Sequence, residues 1–199
     1  AMLAGLVRRE GGLPIPVGIA HDSVASLRLR LAAAIAGGAE LILATAGSHG
    51  GERDIVRGLL EAEGRIDFWG VAMEPDRPLL FGALAGVPVI GLPGDPAEAL
   101  VCAELFARPA ILRLAGRADV ARPTLRAALA APAARHPRRH YARGTVRPSA
   151  TGYSVSLAGE GGLAAPAAAN ALAVIPPGQG ELPAGSLVEV LLLEGAPAG

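Results

Sequence analysis

The chain contains no lysine; all 18 of its basic residues are arginine. Lysine Schiff bases and lowered-pKa amine bases are therefore excluded, as is a Walker-type phosphate loop, which needs its lysine. There is one cysteine, Cys102, so no intrachain disulfide can form. It falls in the apolar helical run 99–106 and reads as a buried thiol rather than a nucleophile. No segment offers the roughly 18 uninterrupted apolar residues that a membrane span needs. The N-terminus lacks the layout of a signal peptide. The expectation is a soluble, cytoplasmic protein with no membrane partner. Net charge is zero, and no long basic stretch marks a nucleic-acid partner. The nearest approach is 135–143, with four arginines and two histidines, which reads as a solvated face or a phosphate contact.

What is present is apolar material: 51% of 199 residues, enough for one large domain or two modest ones. Residues 3–10 read as the end of a helix closed by Gly11-Gly12, and 13–19 as a short extended run. His21-Asp22-Ser23 offers N-cap oxygens for a helix over 24–36, which Gly37-Gly38 ends. The run 40–45 is apolar and compact, suited to burial on both faces of a parallel sheet. A glycine-rich segment follows, then a helix over 52–63. Residues 66–73 are strand-like, and 79–84 and 87–92 form a hairpin about Ala85-Gly86. A long helix over 96–114 is predicted to kink or break at Pro109. This alternation argues for an α/β domain with a largely parallel sheet over 1–117. Beyond it, helical periodicity disappears. The runs 124–129, 139–147, 153–157, 171–175 and 187–193 read as five short strands of an all-β module over 118–199, a small barrel or two-sheet unit. The Ala-rich stretch 164–171 reads as a loop or short helical turn.

Two turns carry the chemistry. The strand ending at Thr45 runs into Ala46-Gly47-Ser48-His49-Gly50-Gly51, and a helix begins just after. Glycines let the backbone present its N–H groups outward, and the unpaired amides of a helix start add positive potential. Phosphate or another oxyanion is the natural ligand, with Thr45 and Ser48 as hydroxyl donors. Glu52 and Asp54 sit at the helix start, where they act as capping acids. Alternatively, Asp54 holds a divalent cation bridging to a phosphate. The other reading of the segment is a plain connecting loop. The second turn, Gly91-Leu92-Pro93-Gly94-Asp95-Pro96, repeats the arrangement, with Asp95 suited to the N-cap and Pro96 to the first helical position. Two such turns at strand ends of one sheet can line one crevice. Between them, Arg77 sits among prolines in Pro75-Asp76-Arg77-Pro78. It reads either as a phosphate clamp or as a solvated hairpin entry. His49 is a candidate donor or base, or a solvated loop residue.

Four motifs in order resemble the molybdopterin molybdenumtransferase family, of the MoeA and gephyrin E-domain type. They are Gly51-Glu52-x-Asp54; Phe68-Trp69-x-Val71-Ala72-Met73-x-Pro75-x-Arg77-Pro78; Phe81-Gly82; and Gly91 to Pro96. Arg139-x-x-x-Arg143, Ala169-Asn170 and Ile175-Pro176-Pro177-Gly178 are similar to the family's C-terminal barrel. The resemblance covers nearly the whole chain but only the C-terminal half of a typical member, with the first strand of the α/β domain expected to lie before Met2. It implies a three-layer α/β/α molybdopterin-binding (MogA-like) domain followed by a small β-barrel. It also implies a reaction: hydrolysis of adenylylated molybdopterin and insertion of molybdate into its dithiolene, assisted by Mg²⁺, in a homodimer. In that picture Thr45, Gly47, Ser48, Gly50, Gly51, Pro75, Arg77 and Pro78 hold the pterin phosphate and nucleotide. Asp54 is the catalytic, metal-contacting acid, and Gly94, Asp95 and Pro96 complete the pocket. The chain departs from the family where its first loop is a residue shorter and gains His49. Glu74 and Arg77 replace lysines, Asp95 replaces an asparagine and Glu98 a serine. These changes keep a second reading open, a binding or carrier module for molybdopterin or a nucleotide without metal insertion. A third is an interaction domain with an inactive pocket.

Overall fold

The structure, a computed structural model, describes residues 2–20, 23–45, 55–74, 79–158 and 169–193. It divides into two compact units, the first built from 1–71 and 77–120, the second from 72–76 and 121–199.

In the first unit α1 (Met2–Arg9) ends as expected at the glycine pair, where Gly12 N–H donates to the Val7 carbonyl at 2.8 Å. The run 13–19 is not a strand. Its side chains find no sheet to pack on: Leu13 is 86% exposed and Ile19 85%. Apolar alternation alone does not make a strand when Pro14 and Pro16 remove two ladder donors. Helix α2 (Val24–Ala36) has the predicted bounds, because the Ser23 hydroxyl accepts from Ser26 N–H at 3.1 Å. After β1 (Ile42–Thr45), the start of the next helix lies outside the described residues, and α3 is seen over Ile55–Glu63.

The predicted strand over 66–73 is two strands, β2 (Arg65–Trp69) and β3 (Met73–Glu74), in different units. Strands β4 (Leu80–Leu84) and β5 (Val87–Leu92) form the expected hairpin. Ala85 and Gly86 both take positive φ, 49° and 82°, as a two-residue hairpin turn matched to strand twist requires. The sheet order is β1-β5-β4-β2, and only β1–β5 is parallel. The expectation of a largely parallel sheet is therefore corrected: a tight hairpin can only join antiparallel neighbours. Among the described residues β1 is also an edge strand, with Ile42 buried, Leu43 and Ala44 half-buried and Thr45 exposed.

Leu27 and Leu31 of α2 and Val56, Leu59 and Leu60 of α3 pack on Ile42, Leu80, Leu84 and Val89 from one face of the sheet. Ile90, one residue on from Val89, points to the opposite face and is buried too, so both faces are covered, as a three-layer arrangement requires. Across α2 and α3, the Arg28 Nε donates to both Glu63 carboxylate oxygens at 2.7 and 3.0 Å. Hydrogen bonding to Arg28 draws the Glu63 pKa below its ordinary 4.5. The pair's contribution is thus present above pH 4.5 and lost as pH falls through the lower folded value. Glu63→Gln should flatten the stability profile in that acid range, lowering stability slightly at pH 7 and leaving it unchanged below the folded pKa, as chemical unfolding at a series of pH values would read.

The predicted long helix breaks into α4 (Pro96–Cys102), a π-turn (Ala103–Ala107) and α5 (Arg108–Leu114). Pro109 explains the break. It has no N–H, and its ring would crowd the carbonyl four residues back; the wider π-turn just before it relieves both. Cys102 is buried in α4, as expected.

In the second unit β6 (Thr124–Leu129), β8 (Arg139–Ser149), β9 (Gly152–Leu157), β10 (Ala171–Ile175) and β12 (Leu187–Leu192) are the five predicted strands. They hydrogen-bond in the cycle β10-β12-β6-β9-β8 and back to β10, a closed five-stranded barrel. Alternate residues point inward: Ala127 and Leu129 from β6, Ala142 and Val146 from β8, Val188 and Val190 from β12. The pair β7 (Ala133–Ala134) and β11 (Glu181–Leu182) is a small addition, and β3 joins β8 in parallel. The Ala-rich stretch predicted as a loop lies outside the described residues up to 168.

Candidate functional site

The first unit ends the strands that precede the two turns at one edge. β1 and β5 run parallel in a register that pairs Ile42 with Val89 and Thr45 with Leu92. Both strands therefore stop at the same level. This is the carboxyl edge of a parallel pair, where α/β sheets bind ligands. Thr45 is exposed there, and so are Gly94, Asp95 and Pro96. Asp95 is the N-cap of α4: its Oδ1 accepts from Ala97 N–H at 2.9 Å and from Glu98 N–H at 3.0 Å. Pro96 follows in the first helical turn, where its missing N–H costs nothing. Of the residues expected to form the site, the described ones brought together are Thr45, Gly94, Asp95 and Pro96. Gly47, Ser48, Gly50, Gly51, Asp54, Pro75, Arg77 and Pro78 lie outside the described residues, as does His49.

The other sequence candidates fall elsewhere. Phe68 and Phe81 stack across β2 and β4 with ring centroids 5.6 Å apart, and Arg57 of α3 lies 4.3 Å over the Trp69 ring. Phe68 and Trp69 of the second motif thus brace the sheet's edge. Within the second unit, Glu74 is half-buried on β3 in register with His140. The Arg/His segment is at least partly structural. Arg135 donates to the Pro177 carbonyl, and a Cβ at Gly178 would lie 2.1 Å from the Arg135 guanidinium. The glycine of Pro176-Pro177-Gly178 thus leaves room for that arginine. His136 and His140 meet edge to face at 4.9 Å.

Sequence reasoning missed a charged cluster in the first unit. Arg9 bonds to Glu104 of the π-turn and, at 2.9 Å, to Glu10; Arg108 Nε lies 3.2 Å from Glu10 Oε2. Burial opposes the Arg9 charge, but hydrogen bonds and attraction from Glu104 and Glu10 outweigh it and hold its pKa above the ordinary value. The signal in the sequence was Glu104 and Arg108 four residues apart on one face of an otherwise apolar helix.

Known families can now be set beside this geometry. Residues 1–113 match the family of probable molybdopterin binding domains, and 126–193 match the MoeA C-terminal region, domain IV. The chain belongs to this molybdopterin-binding family. Similar proteins include a molybdopterin molybdenumtransferase of Haemophilus influenzae, 35% identical over 43% of this chain and 21% of that protein. Molybdopterin molybdenumtransferase 2 of Mycobacterium tuberculosis is 35% identical over 65% of this chain and 33% of its own length. The chain thus spans about a third or less of these two relatives. A crystal structure of the molybdopterin biosynthesis MoeA protein of Pyrococcus horikosii superimposes with a TM-score of 0.82 at 26% identity. It covers 98% of this chain, which in turn covers 47% of that structure. The three-layer domain followed by a barrel is therefore the MoeA arrangement. Among the described residues, no helix is long and apolar enough to cross a membrane.

Proposed function

We propose that the protein acts in molybdenum cofactor biosynthesis, binding molybdopterin or adenylylated molybdopterin at the shared edge of β1 and β5 and supporting molybdate insertion. The observation that carries this reading is the Thr45–Leu92 register, which ends β1 and β5, the strands before the two turns, at one level. Amides of the first turn, with the Thr45 and Ser48 hydroxyls, would bind the ligand's phosphate, and Arg77 would clamp it with a planar fork. Molybdate enters as substrate. The described donors at this edge, a threonine hydroxyl and an aspartate carboxylate, are oxygens, the set a hard cation takes. Asp54 would hold Mg²⁺ there, and the ion would supply charge neutralisation at the phosphoanhydride joining the adenylate to the molybdopterin phosphate, where water displaces AMP. We assign 1–117 to ligand binding and 118–199 to the barrel module, and we place the protein in the cytoplasm as a homodimer. A binding or carrier role without metal insertion is the second reading, favoured by the carboxylate of Asp95 at the edge.

Isothermal titration with molybdopterin and its adenylylated form tests both readings. Micromolar binding is expected, and none at high micromolar ligand would sink both. Asp54→Ala should remove the Mg²⁺-dependent part of binding and any Mg²⁺-dependent turnover, with an unchanged unfolding midpoint. Retention of the Mg²⁺ dependence would show that Asp54 has no metal role.

A further inference from the structure

The sheet of the first unit is open at β1. Among the described residues its one partner is β5, so the ladder groups on its other side face no strand. Segment 13–19 lies in the same unit, without secondary structure and with Leu13, Ile15 and Ile19 exposed. It leads through Ala20, which packs on the cluster of Leu27, Leu31 and Ile42, into α2 and then β1. An apolar segment, a crossover helix and a strand in that order make a βαβ unit whose first strand is unformed. Prolines give the segment two unlike edges. In an extended chain alternate residues turn their N–H groups to the same edge. Pro14 and Pro16 therefore leave one edge short of two donors, while Leu13, Ile15 and Val17 keep theirs on the other. Proline on one edge alone is how a terminal strand blocks its outer side and still pairs through the inner one. On that inner edge the Val17 carbonyl accepts from the Arg30 side chain of α2 rather than from a strand.

The two flanking helices place the missing neighbour. α2 packs with α3 on one face of the sheet, whereas α1 packs on α5 and adds nothing to that cluster. Just after α1, a Cβ at Gly12 would lie 3.7 Å from Ile111 Cγ2 of α5. Strand–helix–strand connections are right-handed, so helices on opposite faces serve connections that run in opposite directions across the sheet. The α2 connection runs from 13–19 toward β1. The α1 connection therefore arrives from the β1 side, and a strand ahead of α1 falls between β1 and 13–19.

We infer that β1 and segment 13–19 form an acceptor slot for one further strand, parallel to β1 and supplied by this polypeptide ahead of α1. The MoeA structure that superimposes on this chain has the length to hold such a strand, since this chain covers 47% of it. Filling the slot completes a ladder on both sides, draws 13–19 into the sheet as its edge strand, and covers Leu13 and Ile19, which are otherwise 86% and 85% exposed.

Amide hydrogen exchange on residues 1–199 and on the whole polypeptide that its gene encodes tests the slot. In the longer chain the amides of Ile15 and Val17, and those of β1 that do not bond to β5, should exchange at least roughly tenfold more slowly than in 1–199, because a ladder amide exchanges only on local opening. Ile15→Pro removes a donor from the inner edge. It should lower the thermal midpoint of the longer chain and leave that of 1–199 unchanged. Equal exchange in the two chains, an equal effect of Ile15→Pro on both, or a gene product that begins at α1 overturns the inference.

Discussion

Arg108→Ala should lower the stability of the first unit by roughly 3–5 kcal/mol, the cost of breaking a buried ion pair from one side. Arg108 is 8% exposed; its Nη1 donates to the Val120 carbonyl at 2.7 Å and its Nε faces Glu10, whose side chain is 8% exposed. Glu104, at 4%, faces Arg9. Four charges from the end of α1 and the residue after it, the π-turn and α5 thus meet in a cluster of two guanidiniums and two carboxylates. They also hold α1 in place, since Leu6 is its one buried side chain. Removing Arg108 leaves the Glu10 carboxylate out of water with less compensation, and truncation adds a cavity. Replacing both partners with apolar residues removes the charge problem altogether. The double variant Arg108→Met/Glu10→Met should therefore lose less than Arg108→Ala alone. Urea unfolding measures both. A loss below about 1 kcal/mol for Arg108→Ala would place the cluster with solvent-screened surface pairs.

Asn170→Ala should cost the barrel roughly 2–4 kcal/mol, from two backbone groups left without partners. β10 begins at Ala171, pairing with Gly144 of β8, so the strand stops short of Val146. The Asn170 side chain extends it. Its Oδ1 accepts from Val146 N–H at 2.8 Å, its Nδ2 donates to the Val146 carbonyl at 3.1 Å, and its own carbonyl accepts from Leu193 N–H at 2.9 Å. The amide thus imitates a peptide group at the seam where the barrel closes, beside a residue only 1% exposed. Asn170→Asp keeps the acceptor and loses the donor, so its loss should be smaller than that of Asn170→Ala at acid pH. At neutral pH, an ionised carboxylate facing the Val146 carbonyl should make it larger. Amide hydrogen exchange at Val146 reports the contact directly. Unaltered protection in Asn170→Ala would show that the side chain does not close the seam.

Several local features of the fold were legible residue by residue. Ser23 before an apolar stripe marked a helix start, Asp95-Pro96 marked another, and Ala85-Gly86 marked a hairpin. Each depends on side-chain oxygens or on φ preferences within a few residues, which the sequence states directly. The barrel strands were legible for the same reason, since period-2 alternation and Pro/Gly turns are local signals. The turn carrying Asp95 was legible as a strand-to-helix turn.

What the sequence by itself determined about this protein is its element types, its caps and turns, and the order of motifs that marks the molybdopterin-binding family. Tertiary structure decided which strand lies beside which. It paired Thr45 with Leu92, left β1 at an edge, and sent β2 and β3 to different units although only Gly70, Val71 and Ala72 separate them. It also buried Glu104 and Arg108, which a helical pattern alone would leave at the surface. The reason is physical. Pairing and burial depend on apolar faces contributed by residues far apart in the chain and on the entropy of closing the loops between them. No window of neighbouring residues contains either.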